Sequence, residues 1–318
     1  MRVVIIGGTG HVGTYLVPRL VEAGHTVINV SRGNSRPYQT HNAWNEVEQI
    51  TLDRARKESA GVFGKEIREF RPDAVIDMIC FTKKSAVQLV QALHVHVQHF
   101  LHCGTIWVHG HSTEVPATEN KPRNPFGDYG VQKAEIETYL LNEARIDGFP
   151  ATILHPGHIV GSGWIPLNPA GNFNIQVFQQ LANGGPVTLP NLGMETVHHV
   201  HADDVAQAFM GAINNRSAAV GENFHVVSPQ ALTLRGYAES VSAWFGKTPD
   251  LRFMPLENWR KTVSEEDASM TWDHIAHSPN CSIGKARRLL EYSPRYSSLQ
   301  AVYEALEWLI EHGEIEKS

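Results

Sequence analysis

A glycine-rich turn directly after the first apolar run constrains the fold of this chain more than any other segment. The predicted strand at residues 2–6 continues from Arg2 into four apolar, β-branched side chains, which is typical of a strand buried on both faces. Residues 7–13 read Gly-Gly-Thr-Gly-His-Val-Gly and match two dinucleotide-binding patterns, and a helical stretch follows. Glycine is needed because a Cβ would hold the backbone away from a pyrophosphate, which binds the freed N–H groups and the helix N-terminus. We therefore predict cofactor contacts from the turn residues Gly7, Gly10, His11, Val12 and Gly13.

Short apolar runs alternate with helix-like stretches through the first half of the chain. This alternation predicts βαβ units and an α/β fold with a doubly wound parallel sheet of the Rossmann type. We expect the first helix over Tyr15–Ala23, with Pro18 close to its start because proline disrupts a helix interior. Glycine, proline and asparagine become frequent after residue 156. We therefore expect a dinucleotide-binding domain over residues 1–160, continued by about 195–230, and a smaller, discontinuous substrate-binding region within 161–318.

The charge balance excludes several classes of partner. The 318 residues include 27 Lys and Arg against 33 Asp and Glu, for a net charge of −6, and no basic run. We therefore expect no binding to nucleic acid or to an anionic membrane surface. No apolar stretch approaches the ~18–20 residues that span a bilayer, and no basic leader precedes the first strand. Only three well-separated cysteines are present, so we expect a cytoplasmic enzyme without disulfides.

The residues at the end of the second predicted strand favour NADP over NAD. An NAD site places a carboxylate there to bind the ribose 2′-hydroxyl. This chain has Ser31 and Arg32, with Arg36 nearby, and a guanidinium suits a 2′-phosphate. The alternative is that Arg32 is solvated or stacks on the adenine. Asp53, after the third predicted strand, would either bind the adenine edge or cap the next helix.

Tyr129 and Lys133 form a Tyr-x-x-x-Lys pair that suits acid–base catalysis. Positions i and i+4 share one face of a helix, so the phenol and the ammonium would converge on one cofactor. An adjacent cation stabilises phenolate and would lower the tyrosine pKa from ~10 towards neutrality. Thr105, after a predicted strand, would bind the same substrate oxygen. The alternative is an ordinary pair on a surface helix.

The order and spacing of these motifs resemble the extended short-chain dehydrogenases/reductases, the NAD(P)-dependent epimerase/dehydratase family. The resemblance covers essentially the whole chain. It implies that Tyr129 is the acid–base residue, that Lys133 binds the nicotinamide ribose, and that Thr105 assists at the substrate oxygen. It also implies nicotinamide contacts from the segment at Pro156, His158 and Ile159, and dimerisation through paired helices. The motifs that carry the resemblance are the opening glycines, Thr105, Tyr129 with Lys133, and the segments 155–161 and 201–206.

Two departures from the family pattern narrow the expected substrate. Sugar 4,6-dehydratases of this family carry Asp-Glu after the threonine, whereas this chain has Ile106 and Trp107, which disfavours dehydration. Members that act on nucleotide sugars commonly place an arginine where this chain has Val197, so the pyrophosphate clamp is missing. A smaller or neutral polar substrate is therefore favoured, such as a free sugar, a sugar acid or another hydroxy or keto compound. Its contacts are predicted from Ile106, Trp107, His109 and Trp164.

The chain contains 18 histidines, an unusually high number for its length, and several of them are clustered along the sequence. Their spacing matches no zinc signature, and hydride transfer needs no metal, so no metal site is predicted. Some of them, such as His109, His155 or His158, would instead line the substrate pocket.

Taken together, the residues and the resemblance predict an NADP-dependent oxidoreductase, with NAD as the second choice of cofactor. It would transfer a hydride between the nicotinamide and a hydroxyl or keto carbon of a small polar substrate. The alternatives are a sugar or nucleotide-sugar epimerase, which uses the same residues, and a non-catalytic NAD(P)-binding regulatory protein. A homodimer is a further expectation.

Overall fold

The computed structural model describes residues 1–317, in which strands and helices alternate along the chain. The strands are β1 (Arg2–Ile6), β2 (Thr26–Ser31), β3 (Glu48–Thr51), β4 (Ala74–Asp77), β5 (His99–Cys103), β6 (Ala151–Pro156), β7 (His158–Val160), β8 (Pro186–Pro190), β9 (Thr196–Val197), β10 (His199–His201), β11 (Asn223–Val226), β12 (Leu232–Thr233) and β13 (Asp250–Met254). The helices are α1 (His11–Glu22), α2 (Arg54–Ser59), α3 (Phe63–Glu69), α4 (Lys83–Leu93), α5 (Gly127–Ile146), α6 (Gln176–Asn183), α7 (Ala202–Asn214), α8 (Arg216–Ala219), α9 (Leu234–Trp244), α10 (Leu256–Trp259), α11 (Glu265–His277), α12 (Gly284–Leu290) and α13 (Ser298–Glu311). Short 3₁₀ helices cover Asn42–Glu46 and Ile106–His109.

Seven parallel strands form the main sheet in the order β11-β6-β5-β4-β1-β2-β3. The strand order reverses between β1 and β4, where a doubly wound sheet binds its ligands at the carboxyl ends of the strands. Side chains of β1 alternate between the two faces, so Val3 and Ile5 join one core cluster and Val4 and Ile6 the other. The first cluster includes α1 and α7, and the second includes α3, α4 and α5. The predicted fold class is confirmed.

The first helix differs from the prediction. It starts at His11, four residues earlier than expected, so that Pro18 lies in its interior rather than near its start. The phosphate-binding turn begins the helix directly after Gly10, which is why the start moves. Leu16 and Leu20 are fully buried, and their packing outweighs the one backbone hydrogen bond that the proline cannot donate.

A second hydrophobic core is built from residues between Val160 and Ile315. It combines side chains of α6, α9 and α13 with those of β8 and β9. The chain leaves the main sheet after β6 and rejoins it at β11, so the segment that starts this core is inserted between two neighbouring strands. Within residues 1–317, every helix is too short or too polar to cross a membrane.

Candidate active site

The predicted phosphate-binding turn is packed as tightly as its glycines suggest. A Cβ on Gly13 would lie 1.9 Å from the Gly8 carbonyl oxygen, so the helix can approach the strand only with glycine there. Gly7 has a φ of +88°, which favours glycine. Gly10 is the N-cap of α1, and no side chain caps that helix, which leaves its first N–H groups for an anionic ligand. Val12 is buried in the core, so only its backbone is available to a cofactor.

A cleft of about 840 Å³ runs from this turn along the end of β2. Predicted cofactor contacts that line it are Gly7, Gly10, Ser31, Arg32 and Asp53. Arg32 is exposed, and no carboxylate lies beside it at the end of β2. Arg36 is exposed in the same loop but is not part of the lining. The size of the cleft and its glycine cradle fit a dinucleotide, and Arg32 adds a guanidinium to the lining at the end of β2.

Asp53 caps the next helix, and its predicted contact with the adenine edge stays a prediction. Its carboxylate accepts a hydrogen bond from the Arg56 N–H at 3.0 Å and so caps α2, while the residue also lines the cleft.

Thr105 and Tyr129 come together at the end of β5. Thr105 is buried, and its hydroxyl accepts the Trp107 N–H at 3.2 Å, which leaves the hydroxyl proton for a second partner. That hydroxyl forms a hydrogen bond with the phenol of Tyr129, the third residue of α5. Lys133 lies one helical turn further on and is 2% exposed. Its ammonium donates to the Cys103 carbonyl at 2.8 Å.

The electrostatics of the tyrosine differ from the expectation. Tyr129 is 44% exposed, and the partial covering of its ring raises the pKa of the phenol to about 12, because desolvation disfavours phenolate. The neighbouring Cys103 acts in the same direction, and the hydrogen bond with Thr105 acts in the opposite one. Lys133 does not lower this pKa as predicted, since its ammonium is held by a backbone carbonyl, 5.9 Å from the centre of the phenol ring. Burial also lowers the pKa of Lys133.

A separate pocket of about 280 Å³ opens beside these hydroxyls. Its lining contains Thr105 and Tyr129 together with the predicted residues Ile106, Trp107, His158, Ile159 and Trp164, and also the turn residue His11. Gly157, Leu167 and Phe173 complete the lining and were not predicted. Leu167 and Phe173 come from the segment rich in Gly, Pro and Asn, where no periodic pattern marks which side chains turn inward. No charged side chain from residues 1–317 lines this pocket.

Three aromatic rings tie the phosphate-binding turn to the pocket. His11 stacks on Trp164 with ring centres 3.8 Å apart, and Tyr38 packs against both rings. The Tyr38 hydroxyl lies 3.0 Å from the His11 ring nitrogen, and the Trp164 N–H donates to the Ile159 carbonyl. Burial lowers the pKa of His11 to about 4, so this ring is neutral at pH 7. The pocket therefore has an uncharged, aromatic wall.

His109 is placed away from the pocket. It follows Trp107 on the short 3₁₀ helix, and its ring turns toward His225, with the two ring nitrogens 2.7 Å apart. His155 does not line the pocket either, because it is fully buried behind Thr105. Pro156 is buried at the end of β6. Across the described part of the chain, no three His, Cys, Asp or Glu residues are arranged to hold a metal ion.

Val197, which stands where an arginine was expected for nucleotide sugars, is fully buried in the second core. It pairs with Leu232 in a short antiparallel ladder. This position therefore contributes packing rather than a phosphate contact.

Comparisons with known proteins show which family and which solved folds the chain is similar to. The model of the NAD dependent epimerase/dehydratase family matches residues 3–226. The 2'-dehydrokanamycin reductase of Streptomyces kanamyceticus is 25% identical over 99% of this chain and 86% of that protein. A UDP-glucose 4-epimerase of Mycolicibacterium smegmatis is 24% identical over 80% of this chain and 86% of that protein. The structure of UDP-glucuronic acid 4-epimerase from Bacillus cereus, solved with UDP-glucuronic acid and NAD, superposes with a TM-score of 0.74 at 18% identity, covering 98% of this chain and 100% of that one.

Proposed function

The chain belongs to the NAD dependent epimerase/dehydratase family, and from this premise we propose that it is an NADP-dependent oxidoreductase acting on a small, uncharged, sugar-like substrate. The reaction would transfer a hydride between the nicotinamide and a carbon that bears a hydroxyl or keto group. One observation carries the proposal: the hydroxyls of Thr105 and Tyr129 meet in the wall of a pocket without charged side chains, and His11 of the dinucleotide turn lines the same pocket.

Tyr129 is poised as a proton donor. A phenol with a pKa of about 12 is protonated at pH 7, which is the form that reduction of a carbonyl requires. NADPH, when bound, supplies the hydride to the carbonyl carbon. The Tyr129 proton goes to the carbonyl oxygen, so the C=O group becomes CH–OH, while the Thr105 hydroxyl holds that oxygen in place. Lys133, buried one turn away, would hold the nicotinamide ribose.

Arg32 supports NADP rather than NAD. It lines the cleft at the end of β2, where an NAD-binding protein would present a carboxylate. A guanidinium there would form forked, charge-assisted hydrogen bonds with a 2′-phosphate.

The lining of the pocket supports a neutral substrate. A diphosphate would meet no cation among the lining residues, and Val197 is committed to the core. Aromatic and histidine rings suit the flat face and the hydroxyl groups of a sugar-like ring. The similarity to a 2'-dehydrokanamycin reductase supports reductive use of the site.

Epimerisation is the second candidate, because the same residues would remove a hydride and return it to the opposite face. The similarity to proteins named UDP-glucose 4-epimerase favours it. The two reactions differ in their net consumption of cofactor: reduction consumes one NADPH for each product formed, and epimerisation consumes none.

The test is turnover of a panel of glycosides and cyclitols that carry one keto group, monitored by NADPH absorbance. We expect oxidation of NADPH with at least one compound and a loss of kcat of about a hundredfold or more in Tyr129→Phe, with NADPH affinity changed less than about threefold. Tyr139→Phe, on the same helix but away from the pocket, is the matched control and should keep wild-type kcat. Isomerised product without NADPH consumption would favour the epimerase. NADPH binding without turnover of any compound would favour the regulatory protein.

A further inference from the structure

A chain of buried polar groups runs behind the site, on the side of Thr105 that faces away from the pocket. The Thr105 N–H donates to Nδ1 of His155 at 2.9 Å, and Nε2 of the same ring lies 3.0 Å from Oε1 of Glu137. Both side chains are buried: His155 lies near the end of β6, and Glu137 lies in the middle of α5. Neither His155 nor Glu137 lines the pocket or the cleft.

The hydrogen bonds determine the tautomer of His155. Its Nδ1 accepts a backbone N–H, so that nitrogen carries no proton, and the proton of the neutral ring must lie on Nε2. Nε2 then donates to the Glu137 carboxylate. The imidazole therefore connects a backbone donor on the catalytic loop to a carboxylate on the catalytic helix, and both of its nitrogens are used.

Glu137 is itself held firmly. Arg123 makes a forked contact with both of its oxygens, at 2.7 and 2.8 Å, and the Asn223 amide donates to Oε1. Burial acts to raise the pKa of Glu137, but His155 and Arg123 outweigh it and hold that pKa well below its usual range. The carboxylate is thus charged and fixed in place, which makes it a reliable acceptor for the ring.

The placement of Glu137 relates this network to catalysis. Tyr129, Lys133 and Glu137 follow each other at four-residue spacing, so they share one face of α5. Gly104, just before Thr105, packs against the histidine: a Cβ there would lie 2.4 Å from Nδ1. The loop that carries Thr105 and the helix that carries Tyr129 are therefore joined through one imidazole.

We propose that His155 and Glu137 are positioning residues, which act through the Thr105 backbone to keep its hydroxyl against that of Tyr129. The catalytic part of this inference rests on the proposed function. The structural part, that His155 holds the Thr105 N–H, stands on its own.

Two near-isosteric variants separate the two ends of the ring. His155→Asn places an amide oxygen at the position of Nδ1 and can still accept the Thr105 N–H, but it does not reach Glu137. His155→Gln reaches Glu137 but offers no acceptor to Thr105. Amide hydrogen exchange at Thr105, measured on the full chain, should stay within about threefold of wild type in His155→Asn and accelerate at least about tenfold in His155→Gln.

Turnover of the keto compound that the wild type reduces fastest gives the second readout. We expect His155→Gln to lower kcat about tenfold to a hundredfold with KM changed less than threefold, and His155→Asn to keep most of the activity. Glu137→Gln keeps the shape but not the charge of the carboxylate, so it should change both readouts in the same direction as His155→Gln but less. His99→Asn is the matched control: His99 is a buried histidine of β5 that contacts the Thr152 hydroxyl, and its loss should lower stability without affecting Thr105 exchange or kcat.

Equal effects of His155→Asn and His155→Gln on exchange and kcat would overturn the proposal, because a merely structural role would not distinguish the two nitrogens. Wild-type exchange and kcat in Glu137→Gln would remove Glu137 from it. If the wild type reduces no keto compound, the proposed function fails, and the exchange comparison alone still decides whether His155 positions Thr105.

Discussion

Arg32 and Arg36 lie four residues apart in the same loop, yet the structure gives them different surroundings. Both were predicted to contact the cofactor because both are cations near the end of β2. Only Arg32 lines the cleft. Residue type and distance along the chain thus predict that arginines lie near the cleft, while the path of the loop backbone decides which of them lines it.

We expect Arg32→Ala to weaken NADPH binding about tenfold to a hundredfold, the cost of losing a charge-assisted contact with a 2′-phosphate. NADH binding should change less than about threefold. Arg36→Ala is the matched comparison and should have the smaller effect on NADPH. Fluorescence titration of both cofactors against the three proteins measures this, and equal NADPH and NADH affinity in the wild type would contradict the assignment of Arg32.

The proposed catalytic residues are easier to predict than their neighbours. Thr105, Tyr129 and Lys133 carry chemistry in their residue type and spacing, so a sequence pattern is enough to select them as candidates. His109 was predicted in the pocket and lies against His225 instead, because the 3₁₀ turn directs successive side chains to different sides. Glu137 shows no local signal beyond its spacing from Tyr129, and its contact with His155 exists only because β6 brings that ring beside it.

At the scale of elements, the unit formed by β1, the glycine turn and α1 shows how well a hydrophobic pattern predicts where a strand or a helix begins and ends. Its strand was predicted with the correct ends, and its helix was predicted too late, because the apolar periodicity becomes visible only after Gly13. Hydrophobic pattern identifies the buried face of a helix well, whereas the first turn of this one is determined by backbone geometry at the glycines.

Two alanine substitutions in this unit should differ greatly in their effect on stability. Gly13→Ala places a methyl group 1.9 Å from the Gly8 oxygen, so it should destabilise the fold by about 3 kcal/mol or more. Gly10→Ala has an extended backbone and meets only the Gly7 oxygen, at 3.7 Å, so its cost is that of alanine at an N-cap, and the thermal midpoint should fall by no more than about 3 °C.

The same Gly10→Ala protein should lose at least about tenfold in NADPH affinity, because its methyl group occupies the lining of the cleft. Differential scanning fluorimetry together with NADPH titration separates the two effects. Tight cofactor binding by Gly10→Ala would show that the dinucleotide does not approach this turn.

At the scale of the whole molecule, the composition shows that histidine is abundant, and the fold shows that many of these histidines are buried. His99, His198, His199 and His274 are buried in or beside the two cores, and burial lowers the pKa of each to about 4. In the sequence, nothing separates these histidines from ones that would line a pocket. Their environments depend on contacts between distant segments, which a local pattern does not contain.

The lowered pKa values of these four histidines predict that the protein loses stability in mild acid. Each has a pKa near 6.5 in the unfolded chain and about 4 in the folded one, so between those values the unfolded state binds more protons. The stabilisation is complete above pH 6.5 and is lost as the pH falls toward 4. Four such groups together change the free energy of unfolding by about 5 kcal/mol per pH unit.

Denaturant unfolding at several pH values between 7 and 4 measures this slope. We expect acid unfolding with a midpoint between pH 6 and 4, since a domain is stabilised by only about 5–15 kcal/mol. His99→Gln should reduce the slope by about a quarter. A free energy of unfolding that stays constant down to pH 4.5 would contradict the prediction.

The late return of β11 to the main sheet has a consequence for synthesis on the ribosome. The edge of β6 gains its neighbour only when residues 223–226 have emerged, long after β6 itself is complete. At about 5–20 residues per second, that interval lasts roughly 3–13 s. During it, a strand of fully buried residues presents unpaired backbone groups on a growing chain, which is the kind of edge that recruits chaperones or aggregates. Ribosome-bound chains that end between β6 and β11 would therefore be the species in which a chaperone protects this protein.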